Sequence, residues 1–254
     1  MKSVVCQRKK ENSGKRGGDA LFARWTSEFD CETKTNWWYV IKDTPFDISK
    51  LKAKRRYEIN KGKKNFVVKR IIASDYSEQL FEVTQSAFSD WPEKYRPVVE
   101  KGKFIFELKL WNENVIYGGF DRENGMLCAY SYLVEYVGHL EFSMLRARPE
   151  SEKRGINAAM VAAIVEDYND KLSENFYIND GERAIRHETA FQDYLEKYFE
   201  FRKAYCHLNI KYRFPINIVV RLLFPFRKNI NKNSSIGSMI SSVLLMEEIV
   251  REEK

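Results

Sequence analysis

Three strand-like segments follow one another with only turn residues between them, and they restrict the fold more than any other part of this sequence. Residues 115–120 read as a strand, Glu123-Asn124-Gly125 is a hairpin turn signal, and 126–136 reads as a long strand. Gly138 turns the chain into a third strand at 139–147. Strands joined this tightly pair antiparallel, so the three form a meander. A polar loop at 149–154 leads into an Ala-rich helix at 155–168 and a short strand at 176–178 closed by Asn179-Asp180-Gly181. A helix at 188–198 and a last strand at 201–212 follow.

Upstream, the aromatic and β-branched run 37–42 reads as a strand, and 48–64 as a helix with Asp47 as an N-cap and Gly62 near its end. Residues 65–72 form another strand. Ser77 caps a helix whose apolar positions are Leu80, Val83, Ala87 and Trp91, and a further helix covers 98–111. From residue 66 the order is therefore β, α, α, β, β, β, α, β, α, β. The tail holds an apolar stretch at 216–226 among Arg213, Arg221, Arg227 and Lys228, a linker at 229–235 and an amphipathic helix at 236–250. The expected organisation is a disordered basic tail over 1–18, one domain over 19–212 and a C-terminal amphipathic extension over 213–254.

Several classes are excluded. At 254 residues, 44% of them hydrophobic, the chain can bury a core without staples and is not a disordered polymer. No run of 18 apolar residues exists, so a membrane-spanning helix is not expected. The four cysteines, at 6, 31, 128 and 206, form no C-x-x-C pair, and the N-terminus lacks the apolar segment of a secretory signal. Reduced thiols and a cytoplasmic location are expected. Three histidines without ligand spacing and the lack of a G-x-S-x-G motif point to neither a metal site nor a serine hydrolase.

The net charge of +7 is unevenly placed. Residues 1–18 hold six Lys/Arg against one Glu, and residues 50–70 hold ten against Glu58 alone; the rest of the chain is near −7. Such local basicity suits an anionic partner, whether nucleotide, phosphate-bearing substrate, tRNA or lipid head group, or else a solvated helix face beside a disordered tail.

The element order is similar to that of the Gcn5-related N-acetyltransferases (GNAT). The resemblance spans about residues 40–212. It implies an α/β (α+β) fold with a mixed central sheet, an antiparallel meander and helices on both faces. That family binds the pyrophosphate of acyl coenzyme A at Arg/Gln-x-x-Gly-x-Gly/Ala, opening the helix after the meander. Here the matching stretch is Glu152-Lys153-Arg154-Gly155-Ile156-Asn157, with Glu152 in place of Arg/Gln and Asn157 in place of the second Gly/Ala. The chain also resembles the acetyltransferase-like second domain of the Fem-type (FemAB-like) peptidoglycan aminoacyltransferases. The residues that carry this are the basic helix from Lys52 to Gly62, the strand Phe66-Val67-Val68 and Tyr177-Ile178-Asn179-Asp180-Gly181.

These resemblances imply a cleft where strand 139–147 and the parallel strand 176–178 part. A thioester's amides would complete the exposed ladder like an added strand. The free N–H groups that open a helix at Gly155, Ile156 and Asn157 would meet phosphate, with Lys153 and Arg154 adding charge. Backbone near Met144 to Arg146 would polarise the carbonyl. An amine acceptor must lose a proton, and the candidate bases are Glu141, Asp180, His187 and Glu188. Asn179, Asp180, Arg183, His187 and Glu188 crowd one strand end. Tyr194 or Tyr198 would protonate the thiolate. Each has a plainer role: Asn179-Asp180-Gly181 as a turn, His187 and Glu188 as capping residues, Lys153 and Arg154 as solvated charges, Tyr194 as core.

The expected function is an acyltransferase that moves an acyl group from acyl-CoA, without a metal, to an amine or hydroxyl on a small molecule, sugar or peptide. The resemblance places such enzymes in bacterial cell-envelope or polysaccharide biosynthesis. One alternative is a Fem-like transferase using aminoacyl-tRNA, with the basic helix as the tRNA contact. Another is a non-catalytic scaffold held peripherally at an anionic membrane surface by residues 213–228.

Overall fold

The computed structural model describes residues 20–93, 96–173, 175–185, 190–231 and 234–253. The strands in chain order are β1 (Phe22–Ser27), β2 (Trp37–Lys42), β3 (Phe66–Arg70), β4 (Val115–Asp121), β5 (Leu127–Glu135), β6 (His139–Ala147), β7 (Tyr177–Glu182) and β8 (Arg202–Tyr212). The helices are α1 (Ala53–Asn65), α2 (Ser77–Ala87), α3 (Lys101–Trp111), the single turn α4 (Pro149–Glu152), α5 (Ile156–Asp167), α6 (Ala190–Phe199), α7 (Ile216–Leu223) and α8 (Ser235–Glu252). The chain divides into two compact units. One holds Ile41–Gly181 and Phe191–Arg202; the other holds the stretch up to Val40, Glu182–Ala190 and Lys203 onward.

The first unit is a mixed sheet in the order β7-β6-β5-β4-β3. The β3/β4, β4/β5 and β5/β6 pairs are antiparallel, and β6/β7 is parallel. The meander thus stands as its turn signals dictate: Gly125, at φ 71, closes the β4–β5 turn by donating its N–H to the Asp121 carbonyl (2.9 Å). On one face, α2 and α3 bury Leu80, Phe81, Val83, Phe104 and Leu108 against Ile116, Leu127 and Tyr130. Buried Tyr130 keeps its hydroxyl satisfied by Thr84 at 2.7 Å. On the other face lie α1 and α5. A Cβ on β4's Gly119 would stand 2.8 Å from both Ile156 Cδ1 and Met160 Sδ, so α5 reaches the sheet only because that strand position is bare. Gly62 of α1 lies on the first turn of α5, where an added Cβ would run into the Gly155 carbonyl oxygen and stand 3.0 Å from the Ala159 nitrogen.

The second unit sets β8 between β1 and β2, with β1 and β8 antiparallel from Phe22–Tyr212 to Ser27–His207. Trp37, Cys206 and Leu208 pack against Met246, Ile249 and Val250 of α8. Helix α8, expected as part of an appended extension over 213–254, therefore shares a core with β2 and β8. Cys31, Cys128 and Cys206 are free thiols.

Several boundaries differ from those the sequence suggests. Strand β1 is unforeseen, because FARWTS is short and carries Arg24 among its few apolar residues. Residues 48–64 are a 3-10 turn over Ile48–Lys50 and then α1, since Asp47 caps only the short turn by accepting the Ser49 N–H. Helix α2 ends at Ala87, leaving Trp91 beyond it, stacked edge-on against Phe88. Residues 98–100 precede α3, and 149–152 form a helical turn begun by Pro149. The tail expected over 1–18 lies outside the described residues. Among the described residues, no helix is long and apolar enough to cross a membrane.

Candidate functional site

Strands β6 and β7 run side by side only briefly. Their parallel register pairs His139 with Tyr177, Leu140 with Ile178 and Glu141 with Asn179, and stops there, while β6 continues to Ala147. Local chemistry turns β7 away: the Asn179 side-chain oxygen accepts the Gly181 N–H at 2.9 Å, and Gly181 sits at φ 92, a left-handed conformation that favours glycine. On β6 the register with β5 shifts between Phe142 and Met144, so Ser143 is bulged out and the strand bends at the same level.

The gap is a cleft of about 490 Å³. Its floor is the consecutive run 142–147 of β6; Asp180, Phe191, Glu152 and Asn157 complete the wall. Of the residues singled out from sequence, Met144, Arg146, Asn157 and Asp180 meet here. Asp180 is half-buried, and desolvation raises its carboxyl from 3.8 to about 7, against a Gln192 hydrogen bond that lowers it; the nearby Glu141 charge adds to the rise. Burial also pushes the Glu141 carboxyl up and the His139 imidazole down. His139 is stacked between Tyr136 and Tyr177, at 4.6 and 5.3 Å between ring centres. The Arg146 guanidinium lies 4.7 Å from the Phe88 ring centre, and its Nε is buried without a hydrogen-bond partner.

The loop before α5 is arranged differently from the expected anion site. Arg154 turns from the cleft to pair with buried Asp121 and to cover the Phe66 ring. The carbonyls of Lys153 and Arg154 accept from Lys61 and Asn65 of α1, at 2.7 and 2.9 Å. Gly155 is at φ 92, and its missing Cβ leaves room for Gly62. Ile156 is buried in the core under β4. Ala159 begins the helical bonding of α5 onto the Gly155 carbonyl, so the amides of Ile156, Asn157 and Ala158 are the helix's opening donors. Glu152 accepts from the side-chain amide nitrogen of Asn157 at 3.3 Å and adds a carboxylate to the same wall of the cleft.

Tyr194 stands behind the cleft wall, in ring contact with Phe191, Tyr198 and Phe199, and burial raises its phenol. Arg183 belongs to the second unit, over the Trp38 ring and bonded to the Asn36 carbonyl. His187 and Glu188 lie outside the described residues. Sequence reasoning passed over Phe142, Ala147, Phe191 and Gln192. The alternation of β6 could have shown the first two but for the bulge, and Phe191 and Gln192 open an amphipathic helix without any motif. Among the described residues, no group of three or more His, Cys, Asp or Glu is placed to hold a metal ion.

No protein-family model and no curated protein matches the chain. Solved structures do. L-PGS from Bacillus licheniformis is 16% identical over 91% of this chain and 67% of its own, with a TM-score of 0.49. The C-terminal domain assigned to lysylphosphatidylglycerol synthetase from Agrobacterium fabrum is 12% identical over 81% of this chain and 66% of its own, with a TM-score of 0.50. A GCN5-related N-acetyltransferase-like protein from Streptococcus suis is 13% identical over 76% of this chain and 63% of its own, with a TM-score of 0.37. The chain thus spans about two thirds of the length of each. With the Agrobacterium fabrum domain, at 12% identity, the likeness is one of fold.

Proposed function

We propose that this chain, whose fold is of the GCN5-related N-acetyltransferase type, is an acyltransferase working in the cleft between β6 and β7. One observation carries the reading: the strands part just where a half-buried carboxylate, raised to about 7, faces six consecutive residues of an unpaired strand edge. A thioester lying along 142–147 satisfies that edge with its own amides. The acceptor, an amine or hydroxyl of a sugar or peptide such as the cell envelope offers, gives its proton to the Asp180 carboxylate. Its nitrogen or oxygen bonds to the acyl carbon, a β6 amide holds the developing oxyanion, the C–S bond breaks, and the departing thiolate takes the proton that Asp180 received, which restores the carboxylate.

Acyl coenzyme A fits the cleft in part. The amides opening α5 and the partnerless Arg146 Nε suit anionic oxygens, whereas Glu152 repels a pyrophosphate beside those amides. Glu152→Gln is therefore expected to tighten coenzyme A thioester binding several-fold, and Arg146→Met to weaken it, both read by calorimetry. The thioester should also raise the melting temperature, because it binds only the native state. No shift with any coenzyme A thioester removes the donor assignment. The second reading, an aminoacyl-tRNA donor, is favoured by exposed Lys52, Lys54 and Lys64 on α1 together with Glu152 at the cleft. It predicts stabilisation by RNA with a steep salt dependence instead.

A further inference from the structure

We infer that the outer face of α7 and the segment after it form a docking surface for an anionic lipid bilayer. The inner face of α7 is committed. Val220 is buried, and the ring of Phe224 is covered by the guanidinium groups of Arg227 and Arg251, 4.4 and 3.9 Å from its centre. Arg227 bonds Glu248 of α8 at 2.7 Å, tying this segment down. At 100° per residue, Ile218, Leu222 and Val219 occupy the next arc of the helix, away from Val220, with Arg221 and Asn217 along its far border. That arc is open to solvent: Leu222 is 66% exposed, and Phe214 before the helix and Phe226 after it are 74% and 61% exposed. The start of α8 adds exposed Ile236 and Met239.

Charge selects the occupant. Residues 201–246 contain eight Lys/Arg and no Asp or Glu. Lys211, Arg213, Arg221 and Lys228 are exposed, and none forms an ion pair among the described residues. A face for a second copy or a protein partner of ordinary composition would need acids to balance these cations, whereas an anionic bilayer accepts apolar side chains and cations together. At eight residues α7 is too short to span a bilayer and lies in its plane. The inference does not depend on which donor the cleft takes.

The test uses the full chain and flotation with vesicles of phosphatidylcholine containing phosphatidylglycerol, beside vesicles of phosphatidylcholine alone. The chain is expected to float with the first and not the second. Leu222→Glu with Phe226→Glu should abolish flotation without lowering the melting temperature, since both side chains are exposed. Arg221→Glu with Lys228→Glu should weaken it about ten-fold or more at low salt, each cation near an anionic surface contributing on the order of 1 kcal/mol. The inference is overturned if the Leu222/Phe226 variant floats like the parent. It is overturned equally if Lys52→Glu with Lys54→Glu on α1 removes flotation while the α7 variants do not. It fails too if the chain ignores vesicles and sediments as a dimer that Leu222→Glu dissociates.

Discussion

Asp180→Asn is expected to lower turnover by about 10²-fold or more, the usual worth of a positioned general base. The amide keeps the shape and can still meet Gln192, but it cannot take a proton. The parent's kcat should therefore rise with pH and level off above about 7, where the Asp180 carboxyl ionises, and the variant should lack that limb. Glu141→Gln gives a second check: removing the charge that helps raise Asp180 should move the limb to lower pH while activity persists. A limb at the same pH in Asp180→Asn would show that another group titrates. The same carboxyl has a stability signature of opposite sense. Below its ordinary value of 3.8, folded and unfolded chains both hold the proton. Between there and about 7 the folded chain keeps a proton that the unfolded chain has released, so stability falls as pH rises and then levels off. Asp180→Asn, neutral throughout, should be more stable than the parent above pH 7, by roughly 1–3 kcal/mol once partial solvent contact is discounted, and urea unfolding at pH 5 and 8 would show the gap widen.

Gly62→Ala is expected to destabilise the fold, although a glycine-to-alanine change within a helix ordinarily gains up to about 1 kcal/mol. The new methyl would meet the Gly155 carbonyl oxygen and the Ala159 nitrogen, and both are backbone atoms that cannot rotate aside. Overpacking of this kind costs about 1–3 kcal/mol or more by forcing α1 and α5 apart, so the net loss should be about 1–2 kcal/mol, a melting temperature lower by roughly 2–8 °C. Gly102→Ala in α3 is the control of opposite sign: its new Cβ would have only the Glu100 carboxylate near, at 3.9 Å, so it should be neutral or mildly stabilising. Equal effects at the two positions would mean that α1 does not rest on α5. Substitution at Gly155 cannot isolate phosphate binding, because its own Cβ would stand 3.0 Å from the Gly62 nitrogen and its φ is already left-handed.

The regular part of this protein follows from local pattern. Period-two alternation, the Asn124-Gly125 turn and the Ala-rich run after Gly155 are short-range signals, and they specify the meander and α5 without reference to the rest of the chain. The same local signals single out Asp180 as one polar residue at a strand end, but its raised carboxyl depends on burial among Phe191, Gln192 and β6, which are distant in sequence. Arg154 shows the converse. Beside a helix start it reads as a phosphate ligand, yet Asp121, thirty-three residues earlier, takes its charge, and Gly155 proves to be a contact point for α1. The bulge at Ser143 slips the alternation of β6 by one residue, so no periodicity could assign the cleft floor. The sequence by itself determined the strands and helices from β3 to β8, though not β1 or every boundary, because backbone hydrogen bonding and side-chain periodicity act over a few residues. Only the tertiary structure decided which charges stay free and which carboxylate is raised by desolvation, because desolvation and ion pairing depend on neighbours that the fold, not the chain order, brings together.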